Sequence, residues 1–237
     1  MLNIKRLFFV FAFFTCFFMS ETINAQKINQ FDANNKRTGV WTKYHPNKRI
    51  RYIGEFLNGK EIGVFKFYDI SDSRNPTTIK TYSPKNNLVL VEFFSTKGIL
   101  QSKGFMEDRK RVGKWNYFFP DGKIMSEEMY VDGKLEGKLF NYYPNGKPAE
   151  ISDYKNGLKN GESQKYSSKG ILIEVVTYKN GQPNGVAKFF ELTGLLKETG
   201  VYENGKRVGK WEYYIDGEVA SDAEMNKKKT YTNKKEN

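Results

Sequence analysis

The chain has little of what most metal and enzymatic sites require. Its 237 residues include one cysteine, Cys16, and one histidine, His45. A zinc site needs several Cys or His ligands, and a hydrolase triad would have to use this single histidine. The sequence also contains no Gly-x-Ser-x-Gly motif that would present a nucleophilic serine. We therefore expect no catalytic residues, no metal and no cofactor, and predict that the protein is not an enzyme.

Long apolar runs are missing beyond the first 25 residues. Residues 7–19 form the one extended apolar run, and Lys5 and Arg6 precede it. The run is shorter than the ~20 residues that a membrane-spanning helix needs, and this arrangement is typical of a secretory signal. We predict a signal peptide at residues 1–25 and an exported protein that is periplasmic, outer-membrane-associated or secreted. Cys16 lies inside the apolar run, and its lipidation stays open.

What the sequence does contain is a repeat with a glycine every 24 residues. The glycines are Gly39 and Gly63, then Gly113, Gly137, Gly161, Gly185 and Gly209. The wider gap between Gly63 and Gly113 holds a degenerate unit in which Val89 replaces the glycine, which makes eight units. An aromatic residue follows each of these positions by five residues: Tyr44, Tyr68, Phe94, Phe118, Tyr142, Tyr166, Phe190 and Tyr214. A fixed period of this size indicates stacked repeats.

Each unit has the pattern of a β-hairpin. Polar and aromatic residues alternate from Lys114 to Tyr117, as they do in a strand. Pro-Asp-Gly at 120–122 and Pro-Asn-Gly at 144–146 are turn sequences, and Asn-Gly or Asp-Gly supplies the turn at the other end. We predict an all-β fold, an elongated single-layer antiparallel sheet of stacked hairpins with about sixteen strands.

The residues Tyr154, Asn156, Gly157, Gly161 and Tyr166 give the pattern Tyr-x-Asn-Gly-x-x-x-Gly-x-x-x-x-aromatic. This pattern resembles the MORN repeat, in the variant common in bacterial proteins, some of which carry an antitoxin-like label of the YwqK type. The resemblance implies stacked hairpins in one twisted sheet. It also implies two roles, association with membrane lipid and antitoxin-like neutralisation of a toxin.

The resemblance and the composition together divide the chain into segments. A polar lead-in at 26–34 follows the signal peptide, the repeat domain covers 35–220, and a Lys-rich disordered tail covers 221–237. The sequence departs from the repeat at 69–81, where a turn is longer, and at Val89. We expect the local strand register to differ at both places.

A basic stripe is the first candidate binding surface. The formal net charge is +12, and a lysine stands three residues before many of the repeat glycines. These lysines are Lys36, Lys60, Lys110, Lys134 and Lys206, and Arg109, Arg111 and Arg207 lie beside them in sequence. Stacking places them along one edge of the sheet. They indicate either contact with anionic membrane lipid, lipopolysaccharide or an acidic protein, or lysines that keep the sheet soluble. Nucleic acid is not expected as a partner of an exported protein.

Aromatic rows are the second candidate surface. The candidates are Trp41, Trp115, Tyr117, Trp211 and Tyr213. Alternate residues of a strand face opposite sides, so Trp115 and Tyr117 are expected on one face and Phe118 on the other. Such rows either pack the sheet or form an exposed binding face. We predict a protein-binding module or scaffold in the cell envelope, with a protein as its main partner; the oligomeric state stays open.

Overall fold

The computed structural model describes residues 27–221 and 223–224. The predicted signal peptide at 1–25, and the predicted tail apart from residues 221, 223 and 224, lie outside the described residues. No helix in the described part of the chain is long and apolar enough to cross a membrane.

Eighteen β-strands form the described structure, and they follow one another along the chain. The first nine are β1 (Gln30–Phe31), β2 (Arg37–Tyr44), β3 (Ile50–Leu57), β4 (Lys60–Tyr68), β5 (Pro76–Tyr82), β6 (Val89–Phe94), β7 (Leu100–Glu107), β8 (Lys110–Phe118) and β9 (Ile124–Val131). The others are β10 (Lys134–Leu135), β11 (Gly137–Tyr142), β12 (Pro148–Lys155), β13 (Leu158–Tyr166), β14 (Leu172–Lys179), β15 (Gln182–Phe190), β16 (Leu196–Glu203), β17 (Lys206–Ile215) and β18 (Glu218–Val219).

Each strand pairs antiparallel with the next strand in the chain, so the hairpins stack into one open sheet. Strands β10 and β11 both pair with β9 and together occupy one place in the sheet. The all-β prediction is confirmed. The count of 18 strands exceeds the expected sixteen because β10 and β11 are split and because the lead-in contributes β1.

The Asn-Gly turns explain why the repeat has its period. Asn156 and Gly157 both have positive φ, 52° and 87°, which Asn and Gly adopt at low cost. Four residues later, Gly161 has φ 124°, and a Cβ there would come within 2.8 Å of the Asp153 side chain. The Gly157 N–H donates to the Leu135 carbonyl of the preceding unit over 2.8 Å, so each turn is bonded to the one before it.

The strand register departs from the repeat at Val89 but not, as was also expected, at 69–81, where the shift between Phe67 and Tyr68 matches that between Asn141 and Tyr142. Strands β5 and β6 pair without a shift from Thr78↔Phe93 to Tyr82↔Val89, whereas β12 and β13 shift between Ser152 and Tyr154. Val89 lacks the positive φ of the repeat glycines, which explains the missing bulge. A loop over residues 83–88 consequently replaces the tight Asn-Gly turn.

The buried side chains all lie on one face of the sheet, which we call the inner face; the opposite face is the outer face. The buried apolar residues are Phe56, Phe65, Val91, Trp115, Leu139, Val176 and Ala187. Many of them stand two residues after the repeat glycine, so the period of the sequence becomes a row across the strands. The predicted lead-in also packs here, because the Phe31 ring meets the Trp41 ring edge-on at 5.0 Å.

Candidate binding surfaces

Arginine–tryptophan pairs fill the inner face. The Arg111 guanidinium lies 4.6 Å from the centre of the Trp115 ring, and Trp115 is 0% exposed. Arg207 lies 3.9 Å from the Trp211 ring centre, and Arg37 lies 5.0 Å from that of Trp41. All three pairs come from the same five-residue pattern, Arg-x-Gly-x-Trp. Cation–π attraction and the burial of apolar surface therefore stabilise the inner face at three places along the stack.

Phe65, Trp115 and Trp211 each lie against a glycine of the preceding strand. A Cβ on Gly104 would come within 2.4 Å of the Trp115 ring, and a Cβ on Gly200 within 2.2 Å of the Trp211 ring. In the unit of Gly161, where the same position carries a side chain, the two residues that face each other are both small. Ser152 faces Ser163, and their hydroxyl oxygens are 2.7 Å apart. The inner face is thus packed by matching residue sizes between neighbouring strands.

Several polar groups of the inner face are paired within the protein, whereas the buried Trp211 Nε1 has no hydrogen-bond partner among the described residues. Arg111 donates to the Tyr117 hydroxyl over 2.6 Å and to the Tyr130 hydroxyl over 3.1 Å. Burial, and then a hydrogen bond with Tyr130, raise the pKa of Tyr117, so this phenol stays neutral. Arg207 donates to Glu198 over 3.0 Å, and this hydrogen bond raises the pKa of Arg207. These groups serve to hold the sheet together.

A charged cluster replaces the Arg–Trp pair in the unit of Gly161. Glu150 accepts hydrogen bonds from Lys159 and, over 2.9 Å, from the Ser152 hydroxyl. Burial pushes the pKa of Glu150 up, but the hydrogen bonds from Lys159, Ser152 and Asn141 and the charge of Lys159 push it down, and the pKa lies below its ordinary value. Glu150 is therefore ionised at neutral pH and bound to Lys159.

The structure shows on which face several predicted site residues lie. Trp41, Trp115, Tyr117, Trp211 and Tyr213 all lie on the inner face, and Trp115 has no exposed surface. Their placement agrees with the packing role that the sequence left open for the aromatic rows. The expectation that Arg111 and Arg207 belong to the basic edge is wrong, because both side chains lie over tryptophan rings. Sequence reasoning missed the signal for this, which is the recurrence of Arg-x-Gly-x-Trp.

The remaining basic residues form an exposed row at the Asn-Gly turns, which we call the lysine edge: Lys36, Lys60, Arg109, Lys110, Lys134 and Lys206. The lysines stack as the repeat predicts. A Cβ on Gly133 would lie 3.4 Å from the Cβ of Lys110, and one on Gly157 would lie 3.8 Å from the Cβ of Lys134. Lys110 also forms an ion pair with Asp132 at 2.6 Å, and that hydrogen bond raises the pKa of Lys110.

The outer face carries a row of mostly apolar residues, exposed or half-buried, that sequence reasoning did not identify. Cross-strand pairing places Val64, Thr81, Leu90, Phe105 and Val112 in one line over strands β4 to β8. Val64 is 48% exposed and Phe105 is 44% exposed. We call these five residues the outer apolar row. Its sequence signal is an apolar residue directly after the repeat position, as at Val64 and Leu90, where other units carry Lys114 or Lys138.

Next to this row the outer face becomes polar. Lys114 pairs with Glu127, and Lys138 pairs with Asp153 at 2.9 Å. The hydrogen bond from Lys114 lowers the pKa of Glu127. Burial opposes this shift, and a hydrogen bond from Tyr142 adds to it. Within residues 27–221 and 223–224, no three His, Cys, Asp or Glu side chains are grouped so that they could hold a metal ion.

Comparison with known proteins identifies the repeat. Four segments match the family model described as MORN repeat variant, namely residues 37–58, 111–132, 135–156 and 159–180. These segments therefore carry MORN-variant repeats, as the resemblance in the sequence predicted. The match concerns the repeat unit and not the YwqK antitoxin-like type.

A comparison with curated protein sequences gives no match. Among solved structures, the chain is similar to TarM at 16% identity and a TM-score of 0.27, over 55% of this chain and 21% of that chain. A mutant of S. aureus TarM in complex with fondaparinux, α-GlcNAc-glycerol and UDP is similar at 14% identity and a TM-score of 0.24, over 52% of this chain and 19% of that chain. The chain thus spans about a fifth of the length of these structures.

Proposed function

We propose that the chain is an exported, non-enzymatic binding module of the cell envelope whose protein partner contacts the outer face. MORN repeats support a repeat-based binding module, and the signal-like segment at 1–25 supports export. The observation that carries the proposal is the outer apolar row, because it runs over five strands and exposes Val64 and Phe105 beside the half-buried Leu90 and Val112. Exposed apolar surface beside charged residues is typical of protein interaction sites.

The aromatic residues of the inner face are poor candidates for partner binding, because they already make contacts within the protein. Trp115 is buried against Gly104, and Arg111 and Tyr117 bind each other. A partner could reach Trp115 only by displacing these contacts. The outer apolar row requires no such rearrangement, because Val64 and Phe105 are already exposed. Preformed surfaces of this kind are the usual basis of protein binding.

The lysine edge supports a second candidate function, association with an anionic membrane or lipopolysaccharide surface. Lys36, Lys60, Lys134 and Lys206 are exposed and make no ion pair with any described residue. Lysines at equal repeat positions lie about 10 Å apart along the stack, since two strands separate them. Such a row attracts anionic headgroups, and salt weakens the attraction.

One capture experiment separates the two candidates. The chain without residues 1–25 is immobilised, exposed to native envelope extract and washed at low and high salt. We expect a discrete protein to remain at high salt, to be lost with Phe105→Glu or Val64→Glu, and to be kept by the matched outer-face control Lys188→Glu. Capture of anionic lipid alone, released by salt, would overturn the protein-partner proposal. Neutralisation of a toxin is one form of the proposed binding, and the identity of the captured protein decides it.

A further inference from the structure

The degenerate unit around Val89 opens a cleft on the inner face. Its loop at 83–88 is wider than the two-residue turns of the other units, because Ser83 and Leu88 form its closing hydrogen bond at 3.2 Å. Asn87 stands where other units have Arg111 or Arg207, and Val91 stands where they have Trp115 or Trp211. The unit therefore lacks the Arg–Trp pair that covers the inner face in three other units.

The cleft beside this loop has a volume of about 1220 Å³. Its apolar wall includes Leu57, Val89 and Met106. Tyr82 lines it as well, and its ring meets the Phe65 ring at 5.5 Å while its hydroxyl donates to Glu61. A cleft of this size with apolar walls and a few polar groups is of the kind that holds small molecules.

Positive charge dominates the rim of the cleft. Four cationic residues line it, Lys60, Lys80, Lys85 and Arg109, against two carboxylates, Glu61 and Asp108, so the local balance is 4 − 2 = +2. In the described part of the chain, none of these four cations takes part in an ion pair, and Lys80 lies 5.4 Å from the centre of the Phe67 ring. Unpaired cations around a partly enclosed apolar space favour an anion.

We propose that this cleft binds a small organic anion that has an apolar body. The apolar part would pack against Val89 and Met106, and the anionic group would lie between Lys60 and Lys80. The site uses the inner face and is separate from the outer apolar row. It therefore goes beyond the proposed protein binding, and neither depends on the other.

The test uses two dyes with nearly the same rings and different charge. Anilinonaphthalene sulfonate is an anion, whereas N-phenylnaphthylamine is neutral, and both fluoresce in apolar sites. Titrated with the purified chain, the sulfonate is expected to saturate one site with a lower Kd than the neutral dye. Lys60→Met is expected to raise the Kd of the sulfonate about threefold, which corresponds to the loss of a partly solvated ion pair.

The repeat supplies a matched control for Lys60. Lys134 occupies the same repeat position in a unit whose inner face is filled by Leu139, so Lys134→Met is expected to leave the Kd unchanged. Val91→Phe narrows the cleft and is expected to weaken binding of both dyes. If Val91→Phe fails to fold, Lys60→Met still tests the proposal, because Lys60 is exposed. Equal Kd values for both dyes, equal effects of Lys60→Met and Lys134→Met, or no saturable site would each overturn the proposal.

Discussion

Arginine lies over tryptophan three times in this fold, and each arginine covers one face of its tryptophan ring. Arg111 makes three contacts with one guanidinium. It covers the Trp115 ring and donates to the hydroxyls of Tyr117 and Tyr130. Both hydrogen bonds come from the Arg111 Nη1 atom, while the guanidinium carbon lies over the ring. The aromatic residues that suggested a binding face are thus held by bonds within the protein.

Charged pairs on the same face make stability depend on pH, and Glu150 is the clearest case. Its pKa in the folded protein lies below the ordinary value of 4.5. A lowered folded-state pKa stabilises the fold above the unfolded-state pKa, and this stabilisation is lost as the pH falls through the folded-state pKa. We therefore expect the free energy of unfolding to fall as the pH drops below about 4.5.

Glu150→Gln is expected to lower the free energy of unfolding at neutral pH by about 1–2 kcal/mol, because Lys159 loses its charged partner. The same change is expected to flatten the acid dependence. Urea denaturation between about pH 3 and about pH 7 measures both effects. Glu203→Gln, at an exposed carboxylate, serves as the control. An acid dependence identical to that of the wild-type protein would show that the Glu150–Lys159 contact does not stabilise the fold.

Between neighbouring strands, the inner face depends on a glycine beneath each of the rings of Phe65, Trp115 and Trp211. Gly104→Ala places a Cβ within 2.4 Å of the Trp115 ring as it now lies, so the ring must move. We expect this change to cost about 1–3 kcal/mol by overpacking, and Trp115→Ala to cost about 3–5 kcal/mol. In the Trp115→Ala background, Gly104→Ala should cost little because the clash is gone, which gives a coupling energy of about 1–3 kcal/mol.

Denaturation followed by circular dichroism measures this double-mutant cycle. Leu139→Ala is the control partner for Gly104→Ala, since it is buried on the same face but lies three strands away, about 14 Å. Those two changes are expected to add. Additivity of the Gly104 and Trp115 changes would contradict the packing that we describe.

The hairpins could be predicted from the sequence because turn chemistry is local. Asn156-Gly157 and Gly161 need positive φ, and the 24-residue period repeats that requirement. The choice of the buried face could not be predicted from alternation alone, since Trp115 and Phe118 put aromatic rings on both faces. A comparison between units would have found it, because a residue eleven positions before Phe65, Trp115 or Trp211 is always glycine, namely Gly54, Gly104 or Gly200.

The lysines of the basic edge could be predicted from the repeat, whereas two of its arginines could not. The row of Lys36, Lys110 and Lys134 follows from equal repeat positions, and stacking confirms it. Arg111 and Arg207 were misplaced because one step along a strand moves a side chain to the other face. The outer apolar row depends on residues that vary between units, so the repeat pattern itself did not indicate it.

Taken as a whole, the molecule is a sheet roughly 75 Å long, since about sixteen strand positions lie ~4.8 Å apart. The two faces of the sheet differ in how far their side chains are buried. The inner face packs against itself through Arg–Trp pairs and matched small residues, and the outer face leaves Val64, Phe105 and their neighbours exposed. We therefore infer that a protein partner is bound along the outer face, over several repeats at once.

Site-specific photocrosslinking tests this inference most directly. A photoreactive benzoylphenylalanine replaces either Phe105 on the outer face or Phe189 on the inner face, and the chain is irradiated in its native envelope. We expect a discrete crosslinked protein from position 105 and none from position 189. The same crosslink from position 189 with none from position 105 would contradict the account, because the inner face would then be the binding surface.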